Sequence, residues 1–148
     1  MVILAPIDVT EEYERVLTVG QNLADAYDDE LVVLYVMSED GYESEREDRL
    51  SRTEYSEYPM SQAEADAAKR VERIAEEVLG DDADVHSRGR IGEPTPEILS
   101  TAEEVGARYI VLGGRKRTPT GKALFGSITQ SVLLNADRPV VTVMHESE

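Results

Sequence analysis

Gly113-Gly114-Arg115-Lys116-Arg117-Thr118-Pro119-Thr120-Gly121-Lys122-Ala123-Leu124-Phe125-Gly126-Ser127 follows the apolar run Tyr109-Ile110-Val111-Leu112 and precedes a helix-forming segment. It reads as a glycine-rich connection from strand to helix, longer than the about 2–6 residues usual in such units. Four basic residues and no acid lie inside it, on a chain of 148 residues with formal net charge −16. The stretch is a cationic island, and the rest of the chain says where it sits.

On either side of it the chain alternates strand and helix. Residues 2–7 form a continuous apolar run of the buried parallel-strand type, interrupted by Pro6 near its carboxyl end, with Asp8 at its exit. Thr10 reads as the cap of a helix over 11–28, with Tyr13, Val16, Leu17, Leu23 and Ala24 at helical spacing and Gly20 as an interior weak point. Residues 31–37 are a second, β-branched strand. Residues 38–60 are rich in acids, serine, arginine and tyrosine and poor in aliphatics, which predicts a long acidic, mobile loop. Its acids do not match the D-x-[DN]-x-[DN]-G calcium-loop spacing. Ser61-Gln62-Ala63-Glu64 has the form of a capping box opening a helix that Gly80 ends. Residues 83–90 alternate as an edge strand with one face wet, which makes His86 an exposed edge residue. Thr95-Pro96 opens a helix to Gly106; a strand ends at Leu112, a helix runs over 127–136, and 139–144 is a last apolar strand.

Five strands in strict alternation with helices predict an α/β fold, an open parallel five-stranded sheet of order 3-2-1-4-5 with helices on both faces. In such sheets ligands bind beyond the strand carboxyl ends at the topological switch, which here brings Asp8 and the stretch from Gly113 together. One domain over residues 1–148 is expected. The amino-terminal run lacks a basic region and is cut short by Asp8, so it does not read as a signal peptide, and no stretch approaches membrane-span length. Cysteine is absent, which excludes disulfides and thiolate chemistry, and the only two histidines, His86 and His145, stand far apart. With 31 acids against 15 basic residues, nucleic-acid binding is disfavoured. Charge of this size is tolerable where salt screens it, since the Debye length is about 3 Å at 1 M, so the composition points to a salt-rich cytoplasm.

The glycine-rich stretch fails two familiar phosphate motifs. Aligned on Gly121-Lys122, a P-loop would need glycine at Lys116 and a hydroxyl at Ala123. A G-x-G-x-x-G dinucleotide fingerprint is absent as well. What remains is glycine-freed backbone N–H groups and a helix amino end at Gly126-Ser127, with cations nearby.

At these residues the chain resembles the universal stress protein family, as a single-domain member of haloarchaeal type. The resemblance runs through Pro6-Ile7-Asp8, Gly92-Glu93-Pro94, Tyr109 to Gly113, Gly126-Ser127-Ile128 and the closing Asp137-Arg138-Pro139-Val140-Val141-Thr142-Val143. It implies an adenine-nucleotide-binding-like fold, a homodimer through the last strand (139–144), and a cytoplasmic stress-response regulator that binds ATP or a related adenine nucleotide, with or without Mg2+. It does not imply an enzyme beyond slow ATP hydrolysis, nor a nucleic-acid or membrane partner. The nucleotide-binding branch is similar to G-x-x-G-x9-G-[ST], against which this chain reads Gly113-x-x-Lys116-x9-Gly126-Ser127. By position, the resemblance places Asp8 at the adenosine moiety, Val36 near adenine, Gly113 at the close approach, and Gly126 and Ser127 at phosphate, with Pro6, Ile7, Leu112, Arg115, Lys116 and Ile128 as further cofactor-binding residues. Lys116 replaces the second glycine and either obstructs the site or supplies charge to it. The alternative function is a dimeric interaction scaffold that binds no nucleotide and uses the basic 113–126 stretch to dock a protein or an anion.

Overall fold

The computed structural model describes residues 1–52, 57–116 and 123–146. Five parallel strands, β1 (Val2–Pro6), β2 (Glu30–Met37), β3 (Val85–Ile91), β4 (Ala107–Lys116) and β6 (Val140–Glu146), lie in the order β3-β2-β1-β4-β6, the expected 3-2-1-4-5 arrangement. A two-residue strand β5 (Ala123–Leu124) pairs antiparallel with Arg115 and Lys116. The helices are α1 (Glu14–Tyr27), α2 (Glu39–Arg52), α3 (Met60–Leu79), α4 (Pro94–Val105) and α5 (Ser127–Asn135). None of the described helices is long and apolar enough to cross a membrane.

Strand periodicity divides the core in two. Ile3, Ala5 and Ile7 pack with Val16, Leu17 and Ala24 of α1 and Val71 and Ala75 of α3, whereas Leu4 between them packs with Ile98 and Ala102 of α4 and Val132 of α5. The central strands are therefore covered on both faces, as their uninterrupted apolar runs require. Gly20, expected as a weak point, is buried on α1, where an added Cβ would lie 3.0 Å from Leu31 Cδ1. Its smallness lets α1 sit close on the sheet.

The acidic segment departs most from its sequence reading: residues 39–52 are helical, not loop. An apolar stripe is missing, and only Tyr42 is buried. The helix is carried by charges at helical spacing, Arg46–Glu43 at 3.6 Å, Arg49–Glu45 at 3.0 Å and Arg52–Asp48 at 2.6 Å, with Glu39 and Asp40 in the first turn and Arg49 and Arg52 in the last. Composition hid a helix that charge spacing displays.

Helix α2 is fastened to α3 through two tyrosines. Tyr42 Oη donates to the Tyr58 carbonyl at 2.6 Å, Tyr58 Oη donates to Asp66 Oδ2 at 2.8 Å, and the Arg49 guanidinium lies 4.2 Å from the Tyr58 ring centre. Burial, reinforced by the hydrogen bond to Asp66, pushes the Tyr58 phenol up to about 12 from 10.0. A folded-state value above the unfolded one stabilises the fold fully below the unfolded value and is lost as pH rises through the folded one. Stability is therefore expected to fall between about pH 10 and 12 by more in wild type than in Tyr58→Phe. Denaturant melts across that range, read with phenolate absorbance, check it; parallel loss in both proteins would contradict the assignment.

Several expected caps are replaced by other contacts. Helix α1 begins at Glu14, and Thr10 bonds to Asp8 instead of capping it. Helix α3 starts at Met60 after Pro59, with no side-chain cap, and Glu64 of the supposed capping box accepts from the Ile91 N–H at 3.3 Å. Helix α4 starts at Pro94 with Glu93 in the cap position, two residues earlier than Thr95-Pro96 suggested. Gly80 and Gly106 do end α3 and α4, both at positive φ. Strand β4 also runs past Leu112: Gly113, Gly114, Arg115 and Lys116 pair with Val143, Met144, His145 and Glu146. The part of the glycine-rich stretch that opens it is thus strand, because β6 supplies a parallel partner to its end.

Candidate functional site

A cavity of about 660 Å³ opens at the carboxyl ends of β1 and β4, the switch point of the sheet. That volume lies within the range of small-molecule pockets. Crossovers leave β1 and β4 toward opposite faces, so nothing fills the space between their ends.

One side of the cavity is the exit of β1. The Ile7 N–H is held by the Leu34 carbonyl at 2.9 Å, which extends the strand's line to Asp8. Asp8 Oδ1 accepts both the Thr10 N–H at 2.9 Å and the Thr10 hydroxyl at 2.6 Å, and the Glu11 N–H bonds to the Asp8 carbonyl at 3.0 Å. This tight turn fixes an exposed carboxylate at the rim, and its second oxygen has no bond among the described residues. Tyr35, Val36 and Ser38, at the end of β2, form the adjoining wall.

The opposite side is the start of α5. Gly126 takes the cap position with extended backbone (φ −64°, ψ 163°) and no side-chain cap, so the N–H groups of Ser127, Ile128 and Thr129 have no partner inside the helix. The dipole adds partial positive charge there. Thr129 Oγ1 donates to the Gly113 carbonyl at 3.0 Å, which ties this helix end to the exit of β4. Unpaired donors facing a cavity are suited to an anion.

Nine residues singled out from the sequence line this cavity: Pro6, Ile7, Asp8, Val36, Leu112, Gly113, Gly126, Ser127 and Ile128. The backbones of Arg115 and Lys116 lie at the end of β4, and their side chains fall outside the described residues, as do Arg117 and Lys122 altogether. The close approach at Gly113 is made by the protein itself, since a Cβ there would lie 3.3 Å from Val16 Cγ2 of α1. Gly114 is more tightly held, with Met144 Sδ at 2.7 Å from the same added atom. No feature of the sequence distinguished it from its neighbour, because the contact comes from β6.

The sequence reading missed other lining residues, among them Glu11, Glu12, Tyr13, Thr129 and His145. His86 is exposed on edge strand β3, as expected, whereas His145, not singled out from the sequence, is set opposite Arg115 by the parallel register of β6 and so lies at the cavity. Asp8, Glu11 and Glu12 are among the lining residues, the Glu12 carboxylate accepting from the Glu14 N–H at 2.9 Å, and among the described lining residues there is no lysine or arginine.

The model of the universal stress protein family matches residues 1–144. A universal stress protein of Mycolicibacterium smegmatis is 39% identical over 51 residues, 34% of this chain and 39% of that protein. Curated relatives of this kind are matched over less than half of their own length. Among solved structures, the universal stress protein from Archaeoglobus fulgidus superposes with a TM-score of 0.69 at 27% identity, covering 96% of this chain and 97% of that one. A universal stress protein from the same organism in complex with dAMP superposes with a TM-score of 0.65 at 21% identity, covering 96% of each chain. A family match over nearly the whole chain, on a sheet of the same order, is sufficient: this chain belongs to the universal stress protein family.

Proposed function

We propose that this protein is a small, single-domain homodimeric stress-response regulator of a salt-rich cytoplasm that binds ATP or a related adenine nucleotide, as its magnesium complex, in the switch-point cavity. The observation that carries the reading is the pairing, across one cavity, of a fixed carboxylate at Asp8 with the uncapped amino end of α5. The first can accept from ribose hydroxyls and the second can donate to phosphate, while Val36 and Ile98 offer apolar surface for a base. Its relative with bound dAMP supports the same ligand class. Ser127 and Ile128 would hold phosphate, with Arg115 and Lys116 adding charge from β4. Binding, not turnover, is the role; any hydrolysis is slow. Among the described residues strand β6 pairs with β4 alone, which leaves its other edge to the same strand of a second copy.

The Asp8 carboxylate at the rim repels a bare polyphosphate and repels its magnesium complex less. Calorimetric titration is therefore expected to show ATP binding that weakens about tenfold when Mg2+ is chelated, and persists in molar salt through short-range hydrogen bonds. Absence of saturable binding at every salt concentration would sink the nucleotide reading. The same negative rim favours a second reading, a scaffold that binds no nucleotide, and that outcome would support it.

A further inference from the structure

The chain carries far more acid than base, and among the described residues nearly every cation is tied down. Arg88 and Arg90 bind Glu104, Arg108 binds Asp29, and Arg15 and Arg138 donate to backbone carbonyls. Lys69, Arg70 and Arg73 of α3 are different. None makes an ion pair with a described residue, although Glu72, Glu76 and Glu77 stand on the same helix at pairing distances in sequence, and Arg70 stands near the Tyr35 ring, 5.9 Å from its centre.

All three are exposed and line one groove of about 460 Å³ between α2, α3 and the end of β2. The groove also holds Arg49, Glu45 and Asp66. Its acids are already engaged: Arg49 pairs with Glu45 at 3.0 Å and with Asp66 at 3.3 Å, and Asp66 also accepts from Tyr58 and from Gln62 at 2.9 Å. Lys69, Arg70 and Arg73 thus carry charge without an ion pair among the described residues, in a concave site on a molecule of net charge −16. Isolated like charges one to four residues apart repel along a helix and are stabilised by a shared counter-anion.

We propose that this groove is a second anion site, distinct from the switch-point cavity, that takes a small multivalent phosphate compound. Its size suits a small molecule. Arg70, Arg73 and Lys69 line it with two guanidinium groups and an ammonium, the donor set that recognises phosphoryl oxygens. Tyr35 lines both this groove and the switch-point cavity, so the two sites share one wall. An acidic peptide is the less favoured occupant, because the groove offers no open strand edge for main-chain pairing.

Inorganic tripolyphosphate is the probe, titrated calorimetrically into the full chain at low salt. To separate the sites, wild type, Gly126→Asp, Lys69→Gln/Arg73→Gln and Arg46→Gln are compared, the last removing a cation outside the groove. Wild type, Gly126→Asp and Arg46→Gln are expected to retain a tripolyphosphate site that the double variant weakens at least tenfold. The double variant is also expected to bind ATP at the first cavity as wild type does, and to keep the wild-type circular dichroism. Equal binding by the double variant, or an equal loss in Arg46→Gln, would overturn the proposal. So would binding of an oligoglutamate peptide in place of tripolyphosphate.

Discussion

Replacing Gly126 by aspartate is expected to abolish nucleotide binding while leaving the fold as stable as wild type, or slightly more so. The two halves of that result come from one position. Gly126 is the cap of α5, with backbone angles of −64° and 163° that any residue can adopt. Aspartate is among the best capping residues, and its carboxylate would accept from the free N–H groups of the first turn. Those N–H groups are the ones proposed to hold phosphate. The variant would occupy them and set a negative charge where the ligand's charge must lie. At about 4 Å and an effective dielectric near 20, that repulsion is about 4 kcal/mol, or roughly a thousandfold in affinity. A melt alongside a titration tests both halves. Lost binding with an unchanged or raised melting temperature supports the site. Retained binding would place the nucleotide elsewhere.

The largest loss of stability from a single methyl group is expected at Gly89. This residue lies in β3 opposite Tyr35 of β2, under helix α3. A Cβ there would collide with the carbonyl oxygen of Glu64, and would stand 2.7 Å from Ala67 Cβ and 2.9 Å from the Ala68 nitrogen. These are backbone atoms and a Cβ on a packed helix, which cannot rotate away as the end of a long side chain can. Gly89→Ala is expected to cost about 3 kcal/mol through displacement of α3 from the sheet. Gly106 provides the control. An added Cβ at Gly106 meets nothing within 4 Å, and its backbone (φ 67°, ψ 51°) is left-handed helical, so Gly106→Ala costs only the strain of its positive φ, about 1 kcal/mol. Urea unfolding of both variants ranks them; equal losses would refute the close-packing account of Gly89.

Gly89 also shows where reading the residues stopped short. A glycine inside a strand is a known sign of a close backbone approach, so a signal was present. What it approached was not visible, because Ala67 and Ala68 are distant in sequence. The acidic segment teaches the reverse. Its pairs Glu45–Arg49 and Asp48–Arg52 are local, spaced four apart, and enough to indicate helix α2. Low hydrophobicity drew attention away from them. The Tyr58–Asp66 bond that anchors α2 joins residues eight apart across a change of direction.

Local and periodic features were settled by the sequence alone. Strand and helix alternation, the β-branched central strands and the crossover lengths imply a parallel sheet of one handedness and order, and that order locates the switch point. Asp8 and Gly126-Ser127 followed from it, since each sits at the end of an element whose type its own neighbours dictate. Tertiary structure decided everything that depends on register between distant segments. Pairing with β6 turned Gly113 to Lys116 into strand, constrained Gly114 against Met144 and brought His145 to the cavity. The meeting of α2 with α3 gathered Arg49, Lys69, Arg70 and Arg73 around one groove. Hydrophobic periodicity reports which face of an element is buried; it is silent about which polar groups that burial brings together.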